Sequence, residues 1–203
     1  MKFAVLTNDA QWKIFCEYKE NIEWIMVNNF ETLLNTAGVD AYFNLMDNAA
    51  EENYTTFTKP TFINSVIKTL AEIKINENTI RVNIWPGFIE KPIWEIAGNV
   101  NAEIAFVLKA IGKKYITAGD IAGFVSARVI AMIINEAYFA KEDNVSTEAE
   151  IDTAMKLGTN YPYGPFEWAS IIGMKNVYNL LQSMALEDKK YTPSKLLKIA
   201  LNK

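Results

Sequence analysis

Histidine does not occur among the 203 residues. Its absence removes Ser-His-Asp and Cys-His catalysis, histidine zinc sites, and any proton relay through an imidazole. Cysteine occurs once, at Cys16, which excludes an intrachain disulfide and a thiolate metal cluster and fits a reducing cytoplasm. Six prolines and nine glycines are too few for a fibrous or disordered chain. No apolar run reaches the roughly 18 residues of a membrane span. The longest, Val129 to Tyr138, contains Asn135 and Glu136 and follows Arg128. The opening Lys2-Phe3-Ala4-Val5-Leu6 is too short for a signal peptide and runs into Thr7-Asn8-Asp9, so it reads as a strand. A formal net charge of −4 argues against nucleic acid as a partner.

What is present is globular: 50% hydrophobic, 22% charged and 12% aromatic residues, enough for one good core or two small ones. Lys2–Leu6, Trp24–Val27, Ala41–Met46, Thr61–Ile63, Ile80–Trp85 and Tyr115–Thr117 read as strands. Between them, Ala10–Tyr18, Phe30–Asn35, Ser65–Ile73 and Val100–Ile111 carry helical spacing. This alternation predicts a parallel α/β sheet. From Asp120 onward the strand signal ends. Phe124–Ala140 is apolar on nearly all sides, as a buried helix is. Thr147 and Glu150 stand at capping-box spacing for the next helix, which Gly158 is expected to stop. Further helices are expected near Phe166–Ile172, Val177–Met184 and Lys195–Leu201. The boundary is placed near Ala118, giving domains 1–118 and 119–203.

Ordered motifs carry the second half further. Asp120-Ile121-Ala122-Gly123-Phe124-Val125-Ser126-Ala127-Arg128 is followed by Asn135-Glu136-Ala137 and Ile151-Asp152-Thr153-Ala154-Met155. Gly158, Pro162-Tyr163-Gly164-Pro165-Phe166-Glu167-Trp168, Gly173 and Tyr191-Thr192-Pro193-Ser194-Lys195-Leu196-Leu197 come next. This series resembles the C-terminal domain of the 3-hydroxyacyl-CoA dehydrogenases. The resemblance implies a reduced Rossmann-like parallel sheet followed by an all-α domain of the 6-phosphogluconate-dehydrogenase C-terminal-like type. It also implies acyl-CoA metabolism, NAD as cofactor with no metal, and a homodimer paired through the C-terminal helices. The first half is shorter than the family's dinucleotide-binding domain. Where the family enters its first helix through G-x-G-x-x-G, this chain has Leu6-Thr7-Asn8-Asp9-Ala10-Gln11-Trp12, with no glycine. Asp9 there reads as part of an ordinary capped helix rather than a phosphate cradle.

The family's catalytic set is a histidine base, its partner glutamate, a serine and an asparagine. Aligning Glu95 with the glutamate puts Asn83 at the histidine position without a gap. An amide does not titrate near neutrality and cannot take the hydroxyl proton. Ser65 stands near the serine position, and its other reading is an N-cap for a helix beginning at Val66. The asparagine position is held by Ala127, beside Arg128, both expected on the substrate side. Glu95 acting alone as base, against an apolar wall of Trp85 and Trp94, is weighed against a structural carboxylate paired with Asn83 or Arg81. Arg81 reads as a surface or interdomain salt bridge rather than a CoA-phosphate ligand. Arg128 and Glu136 are expected to satisfy each other or a neighbouring helix end, and Cys16 to be a packed thiol among Trp12, Phe15 and Tyr18. Any surviving site is expected between the halves, around Ser65, Asn83, Glu95 and the Ala122–Arg128 segment. Two functional readings follow. One is a 3-hydroxyacyl-CoA dehydrogenase-like protein with impaired or altered catalysis. The other is a non-catalytic relative that binds an acyl-CoA or another protein.

Overall fold

The computed structural model describes residues 1–16 and 21–201. The chain separates into two compact units, Met1–Phe124 and Val125–Lys203. The division falls after Phe124 rather than at Ala118 because residues 120–124 bind within the first unit. Asp120 and the Ile121 carbonyl accept hydrogen bonds from Arg81, and the Gly123 N–H donates to the Val66 carbonyl.

The first unit is built on β1 (Lys2–Leu6), β2 (Glu23–Val27), β3 (Ala41–Asn44), β4 (Thr61–Asn64), β5 (Thr79–Val82), β6 (Ile93–Ala97) and β7 (Lys114–Thr117). Their order across the sheet is β2-β1-β3-β4-β5-β6-β7. Among the described residues three α-helices accompany them: α1 (Asp9–Cys16), α2 (Phe30–Asn35) and α3 (Ala102–Ala110). The expected first helix extended to Tyr18, which lies outside the described residues. Central strands are apolar at consecutive positions because both faces of the sheet are covered. Phe3, Val5, Phe43, Phe62, Ile80, Val82, Trp94 and Ile96 face one core with Phe15 of α1 and Ile104, Val107 and Leu108 of α3. Ala4, Leu6 and Ile63 face the other, with Leu33 of α2, Tyr54 and Phe57.

Two expectations are corrected here. The sheet is not wholly parallel: β6, unmarked in the strand reading, runs antiparallel to β5, and β7 is parallel to β6. Residues 83–92 are too few for a crossover, which needs about a dozen or more residues, so the chain folds straight back on itself. The helix expected over Ser65–Ile73 is also absent, and only a single 3₁₀ turn forms at Leu70–Glu72. A helix there would need the Ser65 and Val66 carbonyls as acceptors. They accept instead from Arg81, and Val66 also from Gly123.

The second unit is helical: α4 (Ser126–Glu142), α5 (Glu148–Thr159), α6 (Pro165–Ile172), α7 (Met174–Ala185) and α8 (Lys195–Ala200). Its motif residues fasten one helix to the next. Asn135, buried on α4, donates to the Thr192 carbonyl and accepts from the Ser194 N–H, and Glu142 accepts from the Leu196 N–H. Asp152 on α5 accepts from the N–H groups of Phe166 and Glu167, the first turn of α6. Gly164 is required beside it, because a Cβ there would collide with the Asp152 carboxylate. The capping box of Thr147 and Glu150 forms as read. Hydrogen bonds from Ser146 and Thr147 hold the Glu150 carboxyl down to about 2. Gly158, however, does not stop α5. The helix runs through it to Thr159, and Asn160 ends it in the left-handed conformation that asparagine tolerates, at φ 55.

Arg81, fully buried on β5, joins three segments of the first unit: β5, the turn after β4 and the stretch from Asp120 to Phe124. Replacing it with methionine should destabilise the protein by about 3 kcal/mol, since it takes the cation from Asp120 and a donor from each of three carbonyls. Urea unfolding followed by far-UV circular dichroism measures this, and an unchanged midpoint would contradict the role given to Arg81.

Candidate functional site

The antiparallel return of β6 sets the geometry of the site. Its register pairs Arg81 with Ala97 and Val82 with Ile96, so the next residues out, Asn83 and Glu95, stand directly opposite. The Asn83 N–H donates to the Glu95 carbonyl at 3.0 Å, and Asn83 Nδ2 donates to Glu95 Oε2 at 3.1 Å. Both residues are buried. The carboxylate fixes which way the amide points, because only the NH₂ end can face an acceptor. That leaves Asn83 Oδ1 as a buried acceptor without a partner inside the protein. It can receive a hydrogen bond but cannot hold a proton near neutrality.

Trp94 does not wall this site. Successive residues of a strand point to opposite faces, and Trp94 lies in the core on the other side of the sheet from Glu95, its Nε1 donating to the Ile89 carbonyl. Ser65 lies one residue beyond β4, as Asn83 lies one beyond β5. Its hydroxyl donates to the Lys68 carbonyl at 2.7 Å, closing a turn rather than capping a helix. Arg81 shares the Asn83 face of β5 and is not a surface residue. Its guanidinium donates to the carbonyls of Ser65, Val66 and Ile121 and pairs with Asp120 at 2.5 Å, over the ring of Phe124. Burial lowers its pKa, and Asp120 acts in the opposite direction. A cation so committed to backbone and Asp120 offers little to a phosphate.

Ala127 and Arg128 belong to the second unit. Ala127 is fully buried on α4. Arg128 donates to the Tyr191 hydroxyl at 3.1 Å and lies over that ring. It does not turn along the helix to Glu136, which is exposed, because eight residues of helix separate the two by about 12 Å.

At the carboxyl end of β1, where a Rossmann-type fold receives a dinucleotide, α1 begins with its own side chains as caps. Asn8 Oδ1 accepts from the Gln11 N–H at 2.9 Å, and Asp9 lies in the first turn. Gln11, which the sequence reading did not single out, reaches across to the Leu45 carbonyl at 2.9 Å. No local pattern could have marked that contact, since its partner is a main-chain atom just past the end of β3. Cys16 is a partly buried free thiol packed against the core, pushed up to about 12 by burial.

The first unit is thus of the α/β class with a mostly parallel sheet, and the second is all-α. Comparison with known proteins narrows it. Residues 123–203 match the family model of the 3-hydroxyacyl-CoA dehydrogenase C-terminal domain. The chain is 39% identical over 95 residues to a 3-hydroxyadipyl-CoA dehydrogenase of Escherichia coli K12, covering 46% of this chain and 20% of that protein. It is 29% identical over 163 residues to a 3-hydroxybutyryl-CoA dehydrogenase of Clostridioides difficile, covering 76% of this chain and 58% of that one. It therefore spans less than two thirds of the length of these curated relatives. The solved (S)-3-hydroxybutyryl-CoA dehydrogenase of Ralstonia eutropha shares the fold, with a TM-score of 0.71 and 19% identity over 97% of this chain and 92% of that one. Residues 123–203 are thus similar to the C-terminal domain of the 3-hydroxyacyl-CoA dehydrogenases, and the resemblance read from the C-terminal motifs is borne out.

Glu95→Ala should leave both ends of the Asn83 amide without a protein partner and destabilise the protein by about 1–3 kcal/mol. Glu95→Gln, which can still accept from Asn83 Nδ2, should lose less. Equal denaturation midpoints for the two variants would mean that the pair contributes nothing.

Proposed function

We propose that this chain is a 3-hydroxyacyl-CoA dehydrogenase-like protein of acyl-CoA metabolism whose oxidoreductase chemistry is impaired. The observation that carries the reading is the Asn83–Glu95 pair. It keeps the cross-strand arrangement of a base and its carboxylate partner but puts an amide in the base position. Asn83 Oδ1 can accept a hydrogen bond from a 3-hydroxyl and orient it, yet the proton stays on the hydroxyl oxygen. Losing a positioned general base lowers a rate by about 10²–10⁴-fold. Ala127 supplies no amide where the family has its asparagine. The nicotinamide cofactor that the resemblance implies, which would take up the hydride, does not suit the first turn of α1, where Asn8 and Asp9 stand in place of glycines. The second reading, a binding relative with no turnover at all, rests on the same pair.

The assay is NADH consumption with acetoacetyl-CoA, beside calorimetric titration with acetoacetyl-CoA alone. Saturable binding of the thioester is expected. Against a typical enzyme rate of about 10 s⁻¹, turnover should fall to about 0.1 s⁻¹ or below. Asn83→His should restore little, because residues acting as a unit are not rescued singly. Turnover near 10 s⁻¹ by the unmodified protein would show that Glu95 or another group carries the proton.

The reading extends to a homodimer formed through α4, in a cytoplasmic setting. Val125, which precedes α4, and Val129, Met132, Glu136 and Phe139 on it follow one another at spacings of four and three, the pattern of a helix seam. Val129 and Phe139 stay 46% and 37% exposed, although the helix's opposite side is buried. Sedimentation velocity at micromolar concentration should show a dimer that Val129→Glu dissociates. A monomer throughout would remove this part of the reading.

A further inference from the structure

Strand order β2-β1-β3 puts the topological switch point of the parallel strands between β1 and β3, the crevice where open α/β sheets receive ligands. A dinucleotide binds there by lying across the carboxyl ends of these strands, its pyrophosphate on free N–H groups of the following helix. In this protein the crevice is bridged from within. Gln11 Nε2 donates to the Leu45 carbonyl at the end of β3, and that carbonyl also accepts from Asn64 Nδ2 at 3.3 Å. Gln11 Oε1 accepts from the Thr7 hydroxyl at 3.1 Å and from the Asn8 N–H at 3.4 Å. These partners admit one orientation of the carboxamide only, because its NH₂ end must meet the carbonyl and its oxygen must meet the donors.

The contacts that a dinucleotide needs are therefore taken by the chain itself. The Gln11 and Asn8 N–H groups already donate to Asn8 Oδ1 and Gln11 Oε1, and Asp9 adds a carboxylate to the first turn, where phosphate charge would stand. On the ribose side, an Asp or Glu after the second strand usually receives the 2′-hydroxyl. Here Asn28 and Asn29 follow β2, and Asn29 Oδ1 accepts from the Thr32 N–H as the cap of α2. These are independent mismatches at two ends of the same ligand.

We propose that Gln11 acts as an internal ligand, its carboxamide filling the dinucleotide crevice between β1 and β3, so that the first unit takes neither NAD nor NADH. This goes beyond the acyl-CoA reading and does not depend on it. The experiment is a thermal-shift series on the whole chain with NADH raised to millimolar concentration, and a separate series with acetoacetyl-CoA. A ligand that binds the native state raises the melting temperature with its concentration. No rise is expected with NADH for the unmodified protein. Gln11→Ala should melt about 2–4 °C lower, for the loss of a partly buried bridge in a chain of this length. Gln11→Glu, which at neutral pH cannot donate to the Leu45 carbonyl, should fall at least as far. A concentration-dependent rise with NADH, or unchanged melting in both Gln11 variants, would overturn the proposal. The acetoacetyl-CoA series reports on the acyl-CoA reading alone, so either idea can fail without the other.

Discussion

The first unit depends on one buried cation. Arg81 is held by Asp120 and by three main-chain carbonyls, and through them it joins β5, the turn after β4 and the segment that ends the unit. Burying a guanidinium is tolerable only when every donor finds an acceptor, so the surrounding backbone is constrained to present carbonyls. That constraint explains why residues 65–69 form a turn instead of a helix. It also explains why the unit continues to Phe124, whose ring lies under the guanidinium. Position 83 inherits its placement from the same strand, two residues along on the same face.

Much of this was legible in the sequence, and the reasons differ by element. Apolar runs such as Lys2–Leu6 and Ala41–Asn44 identify themselves as strands because both of their faces are covered. The series of C-terminal motifs was readable because each of its residues does one fixed mechanical job. Asn135 ties the Thr192–Ser194 segment, Asp152 caps α6, and Gly164 makes room for it. β6 was not readable as a strand, since Pro92 and Glu95 break the apolar pattern and the return direction is set by connection length. The Ser65–Ile73 spacing looked helical because local periodicity carries no information about an arginine sixteen residues away in sequence taking the carbonyls.

The candidate site divides in the same way. Asn83 and Glu95 were readable as a pair because their spacing matches, without a gap, that of the base and glutamate in the family they resemble; the antiparallel return that joins them was not. Ser65 has its hydroxyl committed to the Lys68 carbonyl, a contact that only the fold around the turn reveals. Gln11 was invisible, being one polar residue in the first turn of an amphipathic helix. Its meaning comes from Leu45, which follows β3, a strand brought alongside β1 by a crossover.

The Asn83–Glu95 arrangement is written in backbone, not in side-chain chemistry. The main-chain hydrogen bond from Asn83 to Glu95 delivers whatever residue stands at position 83 to the carboxylate, and a shift of one residue in register would turn it to the Trp94 side of the sheet. The position is a socket: an imidazole, an amide or an alcohol would be presented to Glu95 in nearly the same place. Fold and chemistry are thereby uncoupled at this point of the molecule. A frame of this kind can carry different side chains, and its presence alone is then no record of any one reaction.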